Sequence, residues 1–127
     1  MPEHAKTLEK SVKEVLKWAR GLDTPTAELS YMLSIGTATI GLMRKEGFNP
    51  TMRIYRRIAE KSPRADYHVG LVDDVIKWAR STRSNVSQIA RGRDFTREAL
   101  SSRKNEDWNP RLRTILELAK ARDALGE

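Results

Sequence analysis

Sliding the chain against itself by 60 residues lays Val15-Leu16-Lys17-Trp18-Ala19-Arg20 onto Val75-Ile76-Lys77-Trp78-Ala79-Arg80. The register continues without a gap. Asn49-Pro50 falls on Asn109-Pro110, Phe48 on Trp108, Arg53 on Arg113 and Ala59 on Ala119. Residues 12–60 and 72–120 share 11 identities in 49 positions, against about three by chance, so the chain is expected to fold as two copies of one unit of roughly 60 residues.

Each copy reads as four helices. Val12, Val15, Leu16 and Ala19 form a stripe at i, i+3, i+4 and i+7, which Val72, Val75, Ile76 and Ala79 repeat. The tryptophans flank these stripes as core anchors. Thr24-Pro25 predicts a cap and a first helical residue for a second helix carrying Ala27, Leu29 and Leu33. Ser84-Asn85 is the counterpart, ahead of Val86, Ile89 and Ala90. A third helix turns Ile40 or Leu100 inward. Asn49-Pro50 and Asn109-Pro110 then start a fourth, with Met52, Tyr55 and Ala59 or Leu112, Ile115 and Ala119 as its apolar positions. No stretch alternates like a strand. The expected fold is all-α, two tandem units over 1–63 and 64–127, with the polar stretch Ser62-Pro63-Arg64-Ala65-Asp66 as the linker.

Charge narrows the partners. The net charge is +7, which favours polyanions, nucleic acid first, because each phosphate met by Lys or Arg releases condensed counterions. Residues 1–64 carry 12 basic and 7 acidic groups, residues 65–127 carry 12 and 10. There is no cysteine, which excludes disulfides, thiolate chemistry and cysteine zinc sites. No apolar run approaches a membrane span or a secretory signal, so a cytoplasmic, nucleoid-associated protein is expected.

Two short helices joined by few residues are the pattern of a helix-turn-helix, which presents its second helix to the major groove of DNA. In the second copy Asp94 lies at the turn and Thr96 caps the reading helix, about 96–104. Arg97, Glu98, Ser101 and Ser102 then fall on its outer face. Arg reads guanine bidentately, Ser bonds base edges or phosphate, and Glu accepts from cytosine. Thr96, Arg103, Lys104 and Arg111 flank this face as phosphate contacts. Arg80 through Lys104 holds seven basic residues against two acidic ones.

Leu29 through Gly41 and Ile89 through Ser101 resemble the "LAxxLGVSxxTIS" motif of Cro and lambda-repressor helix-turn-helix domains. The Asn-Pro helices are similar to the "NP(S/T)LETLLKLAKAL" ending found in such domains. The resemblance implies sequence-specific DNA binding and transcriptional regulation of bacterial or phage type. Ser34 and Asp94 stand where that family usually has Gly, which predicts an altered or lengthened turn. Arg93 takes a place usually apolar, filled by Leu33 in the first copy.

The first reading helix, about 37–46, has Ala38, Gly41 and Leu42 where polar base contacts belong. Leu42 and Met43 instead predict an apolar patch suited to a homodimer, a protein partner or RNA polymerase. Thr37, Arg44, Lys45 and Arg53, with Arg56 and Arg57, remain for phosphates. A division of labour follows, with the second copy reading bases and the first gripping backbone or protein. The alternative is a protein-interaction module, antitoxin-like, anti-activator or polymerase-contacting, that keeps the core without the DNA use.

Other chemistry finds no foothold. His4 and His68 have no neighbours at ligand spacing and read as surface or capping residues, so no metal and no cofactor are expected. Asp73 and Asp74 diverge on a helix, in its first turn where the dipole favours them, and are not an acid pair. Glu46, Glu106 and Asp107 are solvated loop residues. With neither a phosphate loop nor a nucleophile elbow, the chain is not expected to be an enzyme.

Overall fold

The computed structural model describes residues 3–93 and 97–127, without the side chains of residues 97 and 98. Among these the chain forms eight helices and no strand, in keeping with the expected all-α class. They are α1 (His4–Arg20), α2 (Thr26–Leu33), α3 (Thr37–Met43), α4 (Met52–Ala59), α5 (Ala65–Ser81), α6 (Val86–Ala90), α7 (Arg97–Ser101) and α8 (Leu112–Ala124). None is long and apolar enough to cross a membrane. Six of the boundaries obey the 60-residue register, since α2, α3 and α4 start at 26, 37 and 52 and α6, α7 and α8 at 86, 97 and 112.

Local chemistry sets the ends of the second helices. At α6, Asn85 and Gln88 form a capping box: each side chain accepts the other residue's backbone N–H, at 2.8 and 2.9 Å. Thr24-Pro25 behaves differently from expectation. Pro25 is the N-cap in extended conformation, and Thr24 contributes its carbonyl to Arg44. Proline's fixed φ and missing N–H suit the position before the helix as well as the first one in it. The altered turn predicted at Ser34 is a three-residue one. Ser34 takes φ 57°, and Ile35 N–H donates to Ser30 O while Ser34 N–H donates to Tyr31 O. This is a Schellman ending with serine in the left-handed position that glycine usually fills.

The two halves share one buried core. The most extensive helix contact crosses between them, α1 against α8, and α5 against α4 is its counterpart at the 60-residue offset. α1 and α5 also pack on each other. Asp123 of α8 caps α1 from the other half, its Oδ1 and Oδ2 accepting the N–H groups of His4 and Ala5 at 2.8 and 3.0 Å. A carboxylate there meets both orphan donors and the positive end of the helix dipole.

Where the Asn-Pro segments meet, the bonding is reciprocal. Met52 N–H donates to Pro110 O and Leu112 N–H to Pro50 O, at 2.8 and 2.7 Å. Arg53 N–H donates to Asn109 Oδ1 and Arg113 N–H to Asn49 Oδ1, at 2.8 and 2.9 Å. Thr51 and Arg111 form an antiparallel bridge at the centre. Equivalent residues exchanging equivalent bonds is the signature of an isologous interface, here built within one chain.

Three expectations need correction. His68 is neither a surface nor a capping residue. It is fully buried between α1 and α5, with Nδ1 2.6 Å from Ser11 Oγ and Nε2 2.6 Å from Glu14 Oε2. Pairing of the halves buried it, which no local pattern announces. Asp73 and Asp74 lie in the middle of α5, because that helix begins at Ala65; they pair with Arg56 and Arg122. The connection between halves is shorter than 62–66. Ser62 is buried with its Oγ donating to Ala59 O at 2.6 Å, Arg64 takes φ 60° beside Glu14, and Ala65 is already helical.

Candidate nucleic-acid interface

The residues expected to read bases or form an apolar patch lie on or beside the third helices, α3 and α7. On α3, Ile40 and Met43 point into the core while Thr37, Ala38, Gly41 and Leu42 are exposed, Leu42 at 57%. Met43 therefore does not belong to the predicted apolar patch; it sits three residues beyond Ile40 on the same inward face. Leu42 does. On α7, Leu100 is buried, Ser101 exposed and Ser102 half-buried, and both serines already have partners within the fold. Thr96, with Asp94 and Phe95, lies outside the described residues, as do the side chains of Arg97 and Glu98.

Several basic residues hold the fold together. Arg103, expected on phosphate, is 8% exposed; its Nε donates to Ala79 O at 2.8 Å and its Nη1 to Leu100 O at 3.0 Å. It fills the place of Met43 in the other half, and a buried guanidinium must find acceptors. Arg93, standing where the first copy has buried Leu33, is half-buried and donates to Lys120 O. The arginine that closes each repeated hexapeptide is a clasp. Arg20 donates to Met43 O and Lys45 O, Arg80 to Arg103 O and Asn105 O, at 2.8 to 3.0 Å throughout. Three of the seven basic residues between Arg80 and Lys104 are thus structural.

Of the cations expected on phosphate, Arg44, Lys45, Arg53, Lys104 and Arg111 are exposed. Lys104 and Lys45 follow α7 and α3. Arg44 reaches back to Thr26 Oγ1 and Thr24 O, and Arg57 to Ser34 O, while each keeps a solvent-facing side. Arg53, Arg111 and Arg113 are exposed at the reciprocal junction, where Arg111 donates to Asn49 O at 2.9 Å. Sequence reasoning missed the meaning of this cluster. Its signal was present in the identity of Asn49 with Asn109 and of Arg53 with Arg113.

Two grooves flank the junction, and Arg111 lines both. The first, about 370 Å³, lies between α3, the following loop and the start of α4, with Thr39, Leu42, Phe48 and Ile54 on its walls. The second, about 480 Å³, is its counterpart 60 residues on, walled by Ala99, Ser102, Trp108 and Thr114. α3 and α7 therefore border two grooves that share Arg111. No family model matches this chain, and neither a curated protein nor a solved structure matches it.

Proposed function

We propose that the chain is a sequence-specific, double-stranded-DNA-binding transcriptional regulator of the Cro/lambda-repressor-like kind, folded as a single-chain counterpart of a helix-turn-helix dimer. The observation that supports it best is the reciprocal Asn-Pro junction, at which Arg53, Arg111 and Arg113 are exposed. A two-fold arrangement of short outer helices around a basic centre suits a duplex, whose own two-fold symmetry relates paired half-sites. Tethering both halves removes the bimolecular step that a true dimer needs. On this reading Arg97, Glu98, Ser101 and Ser102 read bases, while Thr96 and Lys104 hold phosphate. Thr37, Arg44, Lys45, Arg53 and Arg111 hold backbone on the other half-site.

Because the two outer helices differ, the target is a pair of unlike half-sites in inverted order, bound by one chain. Selection from random duplexes tests this. Enrichment of such a bipartite motif at one chain per duplex is expected, with an affinity falling steeply with salt, by a log–log slope of about −0.9 per phosphate met. Binding without sequence preference would overturn it. Alanine at Arg97 and Ser101 is expected to cut specific affinity while Thr37→Ala does little; the reverse would overturn the division of labour.

Leu42 favours a second reading, a protein-interaction module that has kept the helical core and lost its DNA use. Weak, sequence-indifferent duplex binding beside a tight protein partner would select it.

A further inference from the structure

The duplication supplies an internal comparison for the two grooves. What the backbone demands of this region is what both copies share, namely the Asn-Pro corner, an aromatic residue ahead of it and the basic junction. The first groove has more than that. Leu42 replaces what is Ser102 in the other copy, Ile54 replaces Thr114, and Lys45 replaces Asn105. Since the second copy builds the same corner with serine and threonine, the fold does not require Leu42 and Ile54 to be apolar. Leucine more than half exposed on a seven-residue helix also gains little stability for its host. Leu42 is left to meet something outside the chain, beside Ile54 and Phe48, which are half-buried and pack partly on the core.

We infer that this first groove is a docking site for an acidic peptide segment of a partner protein, anchored by one or two apolar side chains. The walls of Leu42, Phe48, Ile54 and Thr39 enclose about 370 Å³, within the range of ligand-binding clefts and fitted to side-chain anchors of an amphipathic segment. The rim selects the flanking charge. Lys45 and Arg111 stand on it, Glu46 is its single acidic residue among the described residues, and the whole chain carries a net +7. Carboxylates beside the anchors meet that field and speed encounter. A nucleic-acid backbone satisfies the cations and leaves the apolar walls unmatched, whereas an acidic, apolar-anchored peptide satisfies both. The inference rests on the groove's own lining and holds whether or not α7 reads a duplex; because Lys45 and Arg111 are also proposed phosphate contacts, peptide and duplex then compete for this rim.

A displayed library of random short peptides, selected on the whole wild-type protein, provides the test. Acidic sequences with a recurring Leu, Phe or Trp anchor are expected to enrich. Against the variant L42S/I54T, which takes the residues of the other copy, the selected peptides are expected to bind about tenfold or more weakly. Lys45→Asn is expected to weaken them a few-fold, about as a rim charge does, and to reduce the salt dependence. Thermal melting confirms that the variants fold. No enrichment, enrichment of basic or uncharged peptides, or binding indifferent to L42S/I54T overturns the proposal. So does a result in which L42S/I54T costs duplex affinity as much as peptide affinity, because the groove then belongs to the nucleic-acid surface. Loss of all sequence-specific duplex binding by the wild type leaves these peptide results standing and overturns only the regulator reading.

Discussion

Among single residues, Arg103 and Lys104 are neighbours with opposite fates. Arg103 lies inside the bundle and satisfies two carbonyls, where the other half uses Met43. Arg103→Met fills the space, as Met43 does in the other copy, but strands the Ala79 and Leu100 carbonyls, and is expected to cost about 1–2 kcal/mol. Arg103→Ala is expected to cost about 2–4 kcal/mol, from the void and the stranded acceptors. Urea denaturation distinguishes the two. Lys104 is exposed, and Lys104→Ala is expected to leave stability alone while lowering the salt slope of duplex binding by about 0.9. Equal slopes for the wild type and Lys104→Ala would remove it from the interface. Gly70 is mid-helix in α5, with nothing within 4 Å of where a Cβ would stand. Gly70→Ala is expected to raise stability by about 0.5–1 kcal/mol, read as a higher melting temperature.

Between elements, the seam of α1 and α5 holds Ser11, Glu14, Arg64 and His68 together. Arg64 bonds the Glu14 carboxylate and, with a smaller contribution from His68, holds its pKa below the ordinary 4.5 against the opposing effect of desolvation. A carboxylate whose folded pKa is depressed contributes its stability fully above its unfolded pKa and loses it as pH falls through the folded one. Stability is therefore expected to decline on acidification below about pH 4.5, and Glu14→Gln is expected to flatten that part of the curve. Melting temperatures measured from neutral pH to pH 3 check it, and an unchanged acid limb in the variant would be evidence against the seam. Neither His68 nor Glu14 was legible as a pair from the sequence. They lie on different helices, and the burial that couples them comes from the packing of the halves.

Across the whole molecule the question is whether either half stands alone. α1 packs most extensively on α8, α1's first N–H groups depend on Asp123, and the Asn49 and Asn109 side chains cross the junction. Each Val, Leu or Ile uncovered by separation costs about 1.5–3 kcal/mol, and a domain has only about 5–15 kcal/mol to lose. A fragment of residues 1–63 is therefore expected to be unfolded by circular dichroism. Mixing it with 64–127 is expected to restore helicity. An independently folded fragment would show that the shared core contributes little.

The helices and their duplication are already written in the order of residues, since 3.6-residue periodicity, caps and the 60-residue register are local or translational patterns. The inward turn of Ile40 and Leu100 was legible there too. It takes the packing of the two halves to make the copies interlock around reciprocal Asn-Pro contacts, to bring Arg103 and His68 inside, and to leave Leu42 out without Met43. The reason is physical: burial of a polar or ambivalent side chain depends on which acceptors a distant segment brings to it. Those acceptors exist only once the two halves have closed on each other.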